Sequence, residues 1–168
     1  MTARYNFGPA TKSMTWLFGA ARPAGSDDDS ITEWIEFMRG NGIERIVCLN
    51  DGNADLAIEK YRESFGADNV LYSPIRDFSL PSRDQLGAIL DFIHKAESSP
   101  TVVHCGGGIG RTGFVLAAYV IRTTGCTEED ASSQVAEASD ALRDSHESTV
   151  RGISEKAIVD LLDSVRTK

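Results

Sequence analysis

The stretch His104-Cys105-Gly106-Gly107-Gly108-Ile109-Gly110-Arg111-Thr112-Gly113 decides how the rest of the chain is read. It is preceded by Pro100 and a short apolar run, residues 101–104, that reads as a buried strand. It is followed by an apolar segment that starts a helix near Arg111. A strand that passes through a glycine-rich turn into a helix N-terminus builds an anion site. Free backbone N–H groups point into the turn, and the helix dipole adds positive potential there. Gly106, Gly107, Gly108 and Gly110 let the backbone curl around a small anion without side-chain clashes, so residues 106–110, Ile109 included, are expected to bind it. Cys105 at the mouth of the cradle is expected to be ionised and therefore a nucleophile. Arg111 closes the loop with a planar fork that can hold two oxygens of the same anion.

Outward from this loop the chain alternates strands and helices. Residues 14–21 read as a strand leading into Arg22-Pro23, and Asp29 or Ser30 as the cap of the next helix. Ile31, Trp34, Ile35 and Met38 recur at helical spacing until Gly40-Asn41-Gly42 stops them. Residues 43–49 form a strand ending in the polar turn Asn50-Asp51-Gly52-Asn53, 54–65 a helix and 69–75 a further strand. Residues 76–81 are a loop, and Ser82 caps a helix reaching about residue 97. Helices are expected over 127–142 and 148–165. This pattern predicts one domain, residues 1–168, of the α/β class, with a central, mostly parallel sheet flanked by helices on both faces.

Composition narrows the function. The chain has 168 residues, 41% of them hydrophobic, and a net charge of −8, which suits a globular protein and argues against nucleic acid or anionic membrane as partner. No apolar run is long enough to span a bilayer, and residues 1–10 lack the layout of a secretion signal, so a cytoplasmic location is expected. Cys48, Cys105 and Cys126 are too few and too widely spaced for a disulfide framework or a zinc site. With three histidines, none spaced for ligation, neither a metal nor another cofactor is expected. Oligomeric state is not legible.

The loop matches the Cys-x5-Arg signature of the protein tyrosine phosphatase superfamily, with His before the Cys and Thr-Gly after the Arg. The wider pattern resembles the small, compact, atypical dual-specificity phosphatases, from about residue 16 to 162. The resemblance implies a phosphoester hydrolase that forms a phosphocysteine on Cys105, with Arg111 binding phosphate. Ser73-Pro74-Ile75-Arg76-Asp77-Phe78-Ser79-Leu80-Pro81 resembles the family's acid loop and implies Asp77 as general acid, then base. Thr112 would donate its hydroxyl to the departing sulfur, and His104 would support the loop. In some relatives a second cysteine protects the first, and Cys48 is the candidate redox partner here, beside a purely structural reading. Residues 148–154 depart from the family pattern, and Arg151 is a candidate for the pocket rim. The implied partner is a phosphorylated protein, carrying phosphotyrosine and, in a shallow pocket, phosphoserine or phosphothreonine. Two other readings stand beside it, a phosphate-binding module without activity and a phosphoinositide or inositol phosphate phosphatase.

Overall fold

The computed structural model describes residues 3–166. Five strands and six helices are found among them: β1 (Gly8–Pro9), β2 (Leu17–Ala21), α1 (Asp28–Gly40), β3 (Arg45–Cys48), α2 (Asp55–Phe65), β4 (Val70–Tyr72), α3 (Arg83–Lys95), β5 (Thr101–Cys105), α4 (Gly110–Thr124), α5 (Glu128–Ala136) and α6 (Glu155–Ser164). The strands form one sheet in the order β1-β2-β5-β3-β4. β2, β5, β3 and β4 run parallel, and only the two-residue β1 is antiparallel. The mixed α/β class and the mostly parallel sheet expected from the alternation of elements are therefore what the chain adopts.

Period-two alternation along β3 and β5 splits the core between the two sheet faces. Ile46, Cys48 and Val102 pack on one face with Ile31, Trp34, Met38 and Tyr61 from α1 and α2. Val47, Val103 and Cys105 pack on the other with α3, α4, α5 and α6. α4 is buried on every side from Gly110 to Ile121, as an apolar central helix must be. Four helices start at a side-chain cap: Asp27, Ser82, Thr127 and Ser154 each accept from the N–H three residues on, which satisfies one free donor of each first turn.

Several boundaries differ from those the sequence suggests. The cap of α1 is Asp27, with Ser30 supplying the N–H it binds. β2, β3 and β4 are shorter than the runs expected to form them, whereas β5 extends one residue further, to Cys105. The helix expected over 127–142 ends at Ala136, since the following segment is drawn toward the loop after β5 by the bonds described below. The helix expected over 148–165 is a 3₁₀ turn, Glu147–Arg151, then Gly152 at φ 91° and a fresh helix capped by Ser154. A left-handed glycine ends a helix, so the turn and α6 cannot be continuous.

Candidate active site

The loop that follows β5 stands at the C-terminal end of the parallel strands, where α/β sheets open a crevice. Gly108 sits at φ 69°, and a Cβ there would run into the carbonyl of Ala20 and lie 2.6 Å from the Ala21 nitrogen. Only glycine fits a left-handed position packed on backbone. The residue just after the neighbouring β2 also holds the loop directly, through the Arg22 N–H to the Gly106 carbonyl at 3.2 Å.

Cys105 is 2% exposed. The Thr112 hydroxyl, in the first turn of α4, donates to its Sγ at 3.1 Å. Arg111 is almost fully buried, and its Nη1 donates at 2.8 Å both to Asp51 Oδ1 and to the Ile75 carbonyl. Its Nη2 lies 3.2 Å from Asp77 Oδ1, while the Asp77 side chain remains 55% exposed. The structure thus gathers Cys105, Arg111, Thr112 and Asp77 around one loop. Phe78, at φ 55°, donates its N–H to Asp77 Oδ1 at 3.0 Å, and the Arg151 guanidinium lies 5.1 Å over the Phe78 ring. Arg151 is therefore a neighbour of the Asp77 loop.

His104 is on the opposite sheet face from Cys105. Its ring packs 5.0 Å from Trp34 and 5.6 Å from Tyr61. Burial, aided by the charge of Arg111 and opposed by the Cys105 carbonyl, pushes its pKa down to about 4, so the ring is neutral. Cys48 is paired in register with His104 and lies in the α1–α2 core, whereas Cys105 lies in the α3–α4 core. Burial pushes the Cys48 thiol up to about 12. It is a buried, protonated side chain directed to the other face of the sheet, and the structure does not bring it to the Cys105 sulfur as the redox reading requires. Cys126 is also free.

Four residues that shape the site were not apparent in the sequence. Asp51 orients Arg111 and also accepts from the Asp77 N–H at 3.1 Å. Burial raises its pKa, but that N–H and the guanidinium outweigh burial and hold the carboxyl below its ordinary value. Its position just beyond a strand that would neighbour β5 was the available signal. Arg143 is 7% exposed and donates to the carbonyls of Gly108 (2.7 Å), Leu142 (2.9 Å) and Asn6 (2.8 Å). Burial lowers its pKa to about 10, with Cys105 acting in the opposite sense. Asn6 in turn donates to the carbonyls of Gly107 and Gly108, each at 3.2 Å. Glu147 stands against Gly110, where there is no room for a side chain. Burial, then the charges of Asp77 and Asp144, raise the Glu147 pKa against the pull of Arg111 and the Gly110 N–H.

Comparison with known proteins agrees with this geometry. An uncharacterized protein of Methanocaldococcus jannaschii is 45% identical over 52 residues, which is 30% of this chain and 33% of that protein. The chain spans about a third of the length of the curated relatives it matches. Among solved structures, Tk-PTP in its active form superposes with a TM-score of 0.70 at 23% identity, covering 93% of this chain and 97% of that one. Kinase associated phosphatase with its catalytic cysteine changed to serine gives 0.73 at 17%, covering 95% and 94%. These two likenesses establish the fold. A family model, the DSP-PTPase phosphatase of polymorphic toxin systems, matches residues 18–125, a span from β2 to the end of α4 that includes the whole Cys105 loop. The chain belongs to this DSP-PTPase family and so to the cysteine-based phosphatases.

Proposed function

We propose that the chain is a single phosphatase domain that hydrolyses phosphoesters of protein side chains through a phosphocysteine on Cys105. The backbone N–H groups of residues 106–110 and the Arg111 guanidinium bind the phosphoryl oxygens and meet the charge that develops during transfer. The Cys105 thiolate attacks phosphorus in line. The S–P bond forms as the P–O bond to the leaving group breaks, and Asp77 gives its proton to that oxygen. Water then attacks the phosphocysteine and passes a proton to Asp77. The S–P bond breaks, inorganic phosphate departs and the sulfur leaves as thiolate. The hydroxyl of Thr112 donates to that sulfur and makes it a better leaving group. His104, neutral and buried, supports the loop and transfers no proton.

The observation that carries this reading is the Thr112 Oγ1–Cys105 Sγ contact at 3.1 Å beside an arginine that contacts Asp77 at 3.2 Å. Nucleophile, phosphate clamp and acid then share one loop mouth. Glycine and isoleucine fill the positions between Cys105 and Arg111, which favours singly phosphorylated side chains, phosphotyrosine foremost, over polyanionic inositol phosphates. A nucleophile that works only as a free thiol suits the reducing cytoplasm. Hydrolysis of para-nitrophenyl phosphate and a phosphotyrosine peptide, without added metal, tests the mechanism. The wild type should turn over both, and Cys105→Ser neither. A Cys105→Ser protein that keeps its activity, or an inert wild type that still binds phosphate, would overturn it.

A further inference from the structure

The phosphate loop contains three consecutive glycines, Gly106, Gly107 and Gly108, and a peptide between glycines turns over at little steric cost. The N–H of a trans peptide points opposite to the C=O of the same plane. A turned peptide would therefore aim a carbonyl at the bound anion in place of an N–H. Groups outside the loop have to fix each peptide, and they are found by following the four carbonyls from Gly106 to Ile109.

The Gly106 carbonyl accepts from the Arg22 N–H at 3.2 Å, and the Ile109 carbonyl from the N–H groups of Gly113 at 2.9 Å and Asp144 at 3.2 Å. The Gly108 carbonyl accepts from Arg143 at 2.7 Å and from Asn6 Nδ2 at 3.2 Å. The Gly107 carbonyl accepts from Asn6 Nδ2 at 3.2 Å, and among the described residues it has no other partner. Gly107 is exposed, so packing does not fix it either. The direction of the Gly108 N–H thus depends on one side chain, 102 residues earlier in the chain.

Asn6 is itself anchored. Its Nδ2 also donates to the Leu142 carbonyl at 2.9 Å, its Oδ1 accepts from the Leu142 N–H at 2.7 Å, and its backbone carbonyl accepts from Arg143 Nη2 at 2.8 Å. Its backbone is left-handed, at φ 49°, a conformation that asparagine adopts more readily than most residues. Asn6 and Arg143 both lie outside residues 18–125, the span matched by the family model.

We propose that Asn6 is a positioning residue of the phosphate loop: it holds the Gly107 carbonyl outward and so turns the Gly108 N–H onto the anion. This role rests on phosphate binding by the loop, as proposed above, and not on turnover. The N-terminal segment then belongs to the phosphate site. By linkage, a bound anion favours the seated segment as much as the seated segment favours the anion.

Inorganic phosphate added to the full chain tests this, read by the nitrogen–proton NMR signals of the loop amides. Asn6→Gly removes the side chain and leaves a residue at ease in the left-handed backbone. Asn6→Asp keeps an acceptor for the Leu142 N–H but has no donor for the carbonyls, and it serves if the glycine variant does not fold. In the wild type the Gly107, Gly108 and Gly110 amides should all shift saturably. In either variant the affinity should fall by about tenfold, the scale of one charge-assisted hydrogen bond. At saturation the Gly108 signal should lose most of its shift, whereas Gly107 and Gly110, whose peptides are held by Arg22 and Asp144, keep theirs. A merely structural role would lower all three together, and the remaining signals show whether a variant is folded. Wild-type affinity in a folded variant overturns the proposal, as does an unchanged Gly108 shift or an equal loss at all three amides. A wild type that binds no phosphate overturns it together with the reading of the loop.

Discussion

Lowering the pH from about 7.5 to about 5 puts His104 under a load whose size follows from its burial. Its pKa falls from 6.5 in water to about 4 in the folded chain, because a charged ring would be desolvated between Trp34 and Tyr61. Above both values the ring is neutral whether the chain is folded or not, and it contributes no pH dependence. Between them the unfolded chain takes up a proton that the folded chain refuses. Unfolding is therefore favoured as the pH falls, with a slope of up to about 1.4 kcal/mol per pH unit. Linkage gives a loss of about 2 kcal/mol by pH 5 and about 3 kcal/mol by pH 4, a large part of an ordinary domain's 5–15 kcal/mol. Urea unfolding across this range, for wild type and His104→Gln, isolates the effect. Other groups titrate equally in both proteins: Asp51, held low, loses stability at lower pH, and Glu147, held high, acts in the opposite direction. The wild-type curve should fall more steeply than the variant's by about 2 kcal/mol between pH 7.5 and 5. Parallel curves, or a His104 ring that titrates near 6.5 in the folded wild type, would refute the reasoning.

Four substitutions test the loop and its acid. Arg143→Met removes three bonds from a buried cation and returns part of the cost of desolvating it, so the net loss should be about 2 kcal/mol by thermal or urea unfolding. Phosphate affinity should fall with it, because the Gly108 carbonyl is freed. Gly108→Ala meets both a left-handed φ and the Ala20 backbone and should cost more than about 3 kcal/mol. Gly107→Ala, whose nearest new contact is Ile109 at 3.7 Å, should cost less than about 1 kcal/mol by the same measurement. Asp77→Asn should slow a phosphotyrosine peptide by about 100-fold or more and para-nitrophenyl phosphate by less, since the better leaving group needs less protonation. Equal losses on both substrates in steady-state kinetics would remove Asp77 from the acid role.

What could be read from the sequence was local. The strand before Cys105, the glycine turn and the helix after it are consecutive, so their chemistry is written in ten adjacent residues. The Asp77 loop was legible because it follows a strand and carries its own punctuation of prolines and an aromatic residue. Helices on both faces of the sheet were also legible, because strands alternate with helices along the chain. Where the reading failed, a distant contact prevailed over a local pattern. Residues 127–142 have no strong helix breaker, yet the helix stops at Ala136 because Ala141, Arg143 and Asp144 are needed elsewhere. Asp144 donates its N–H to Ile109 at 3.2 Å, and Arg143 reaches Gly108. Cys48 failed as a redox partner for a geometric reason: register places His104 beside it, and the pleat sends Cys105 to the other face.

Arg143 shows why such residues stay hidden. An arginine in a polar segment reads as solvated surface, and nothing nearby in sequence marks it as buried. Its space is made by a residue on another element: a Cβ at Gly19, in β2, would lie 2.6 Å from the guanidinium. Its charge is met by carbonyls of three separate segments rather than by a carboxylate. An acid there would bring a full negative charge close to a phosphate in the loop, whereas carbonyls meet both Nη groups and leave the positive charge uncancelled. The same logic separates the two arginines of the site. Arg111 touches carboxylates that a bound phosphate can displace from its fork. Arg143 touches only backbone and keeps its partners when the anion arrives, so it holds the loop's shape in both states. Arg143→Lys should therefore keep the charge but lose the forked geometry, binding phosphate more weakly than wild type and more tightly than Arg143→Met. Calorimetric phosphate titration of the three proteins would reveal this order, and equal affinities for the lysine and methionine variants would show that only the geometry of the fork matters.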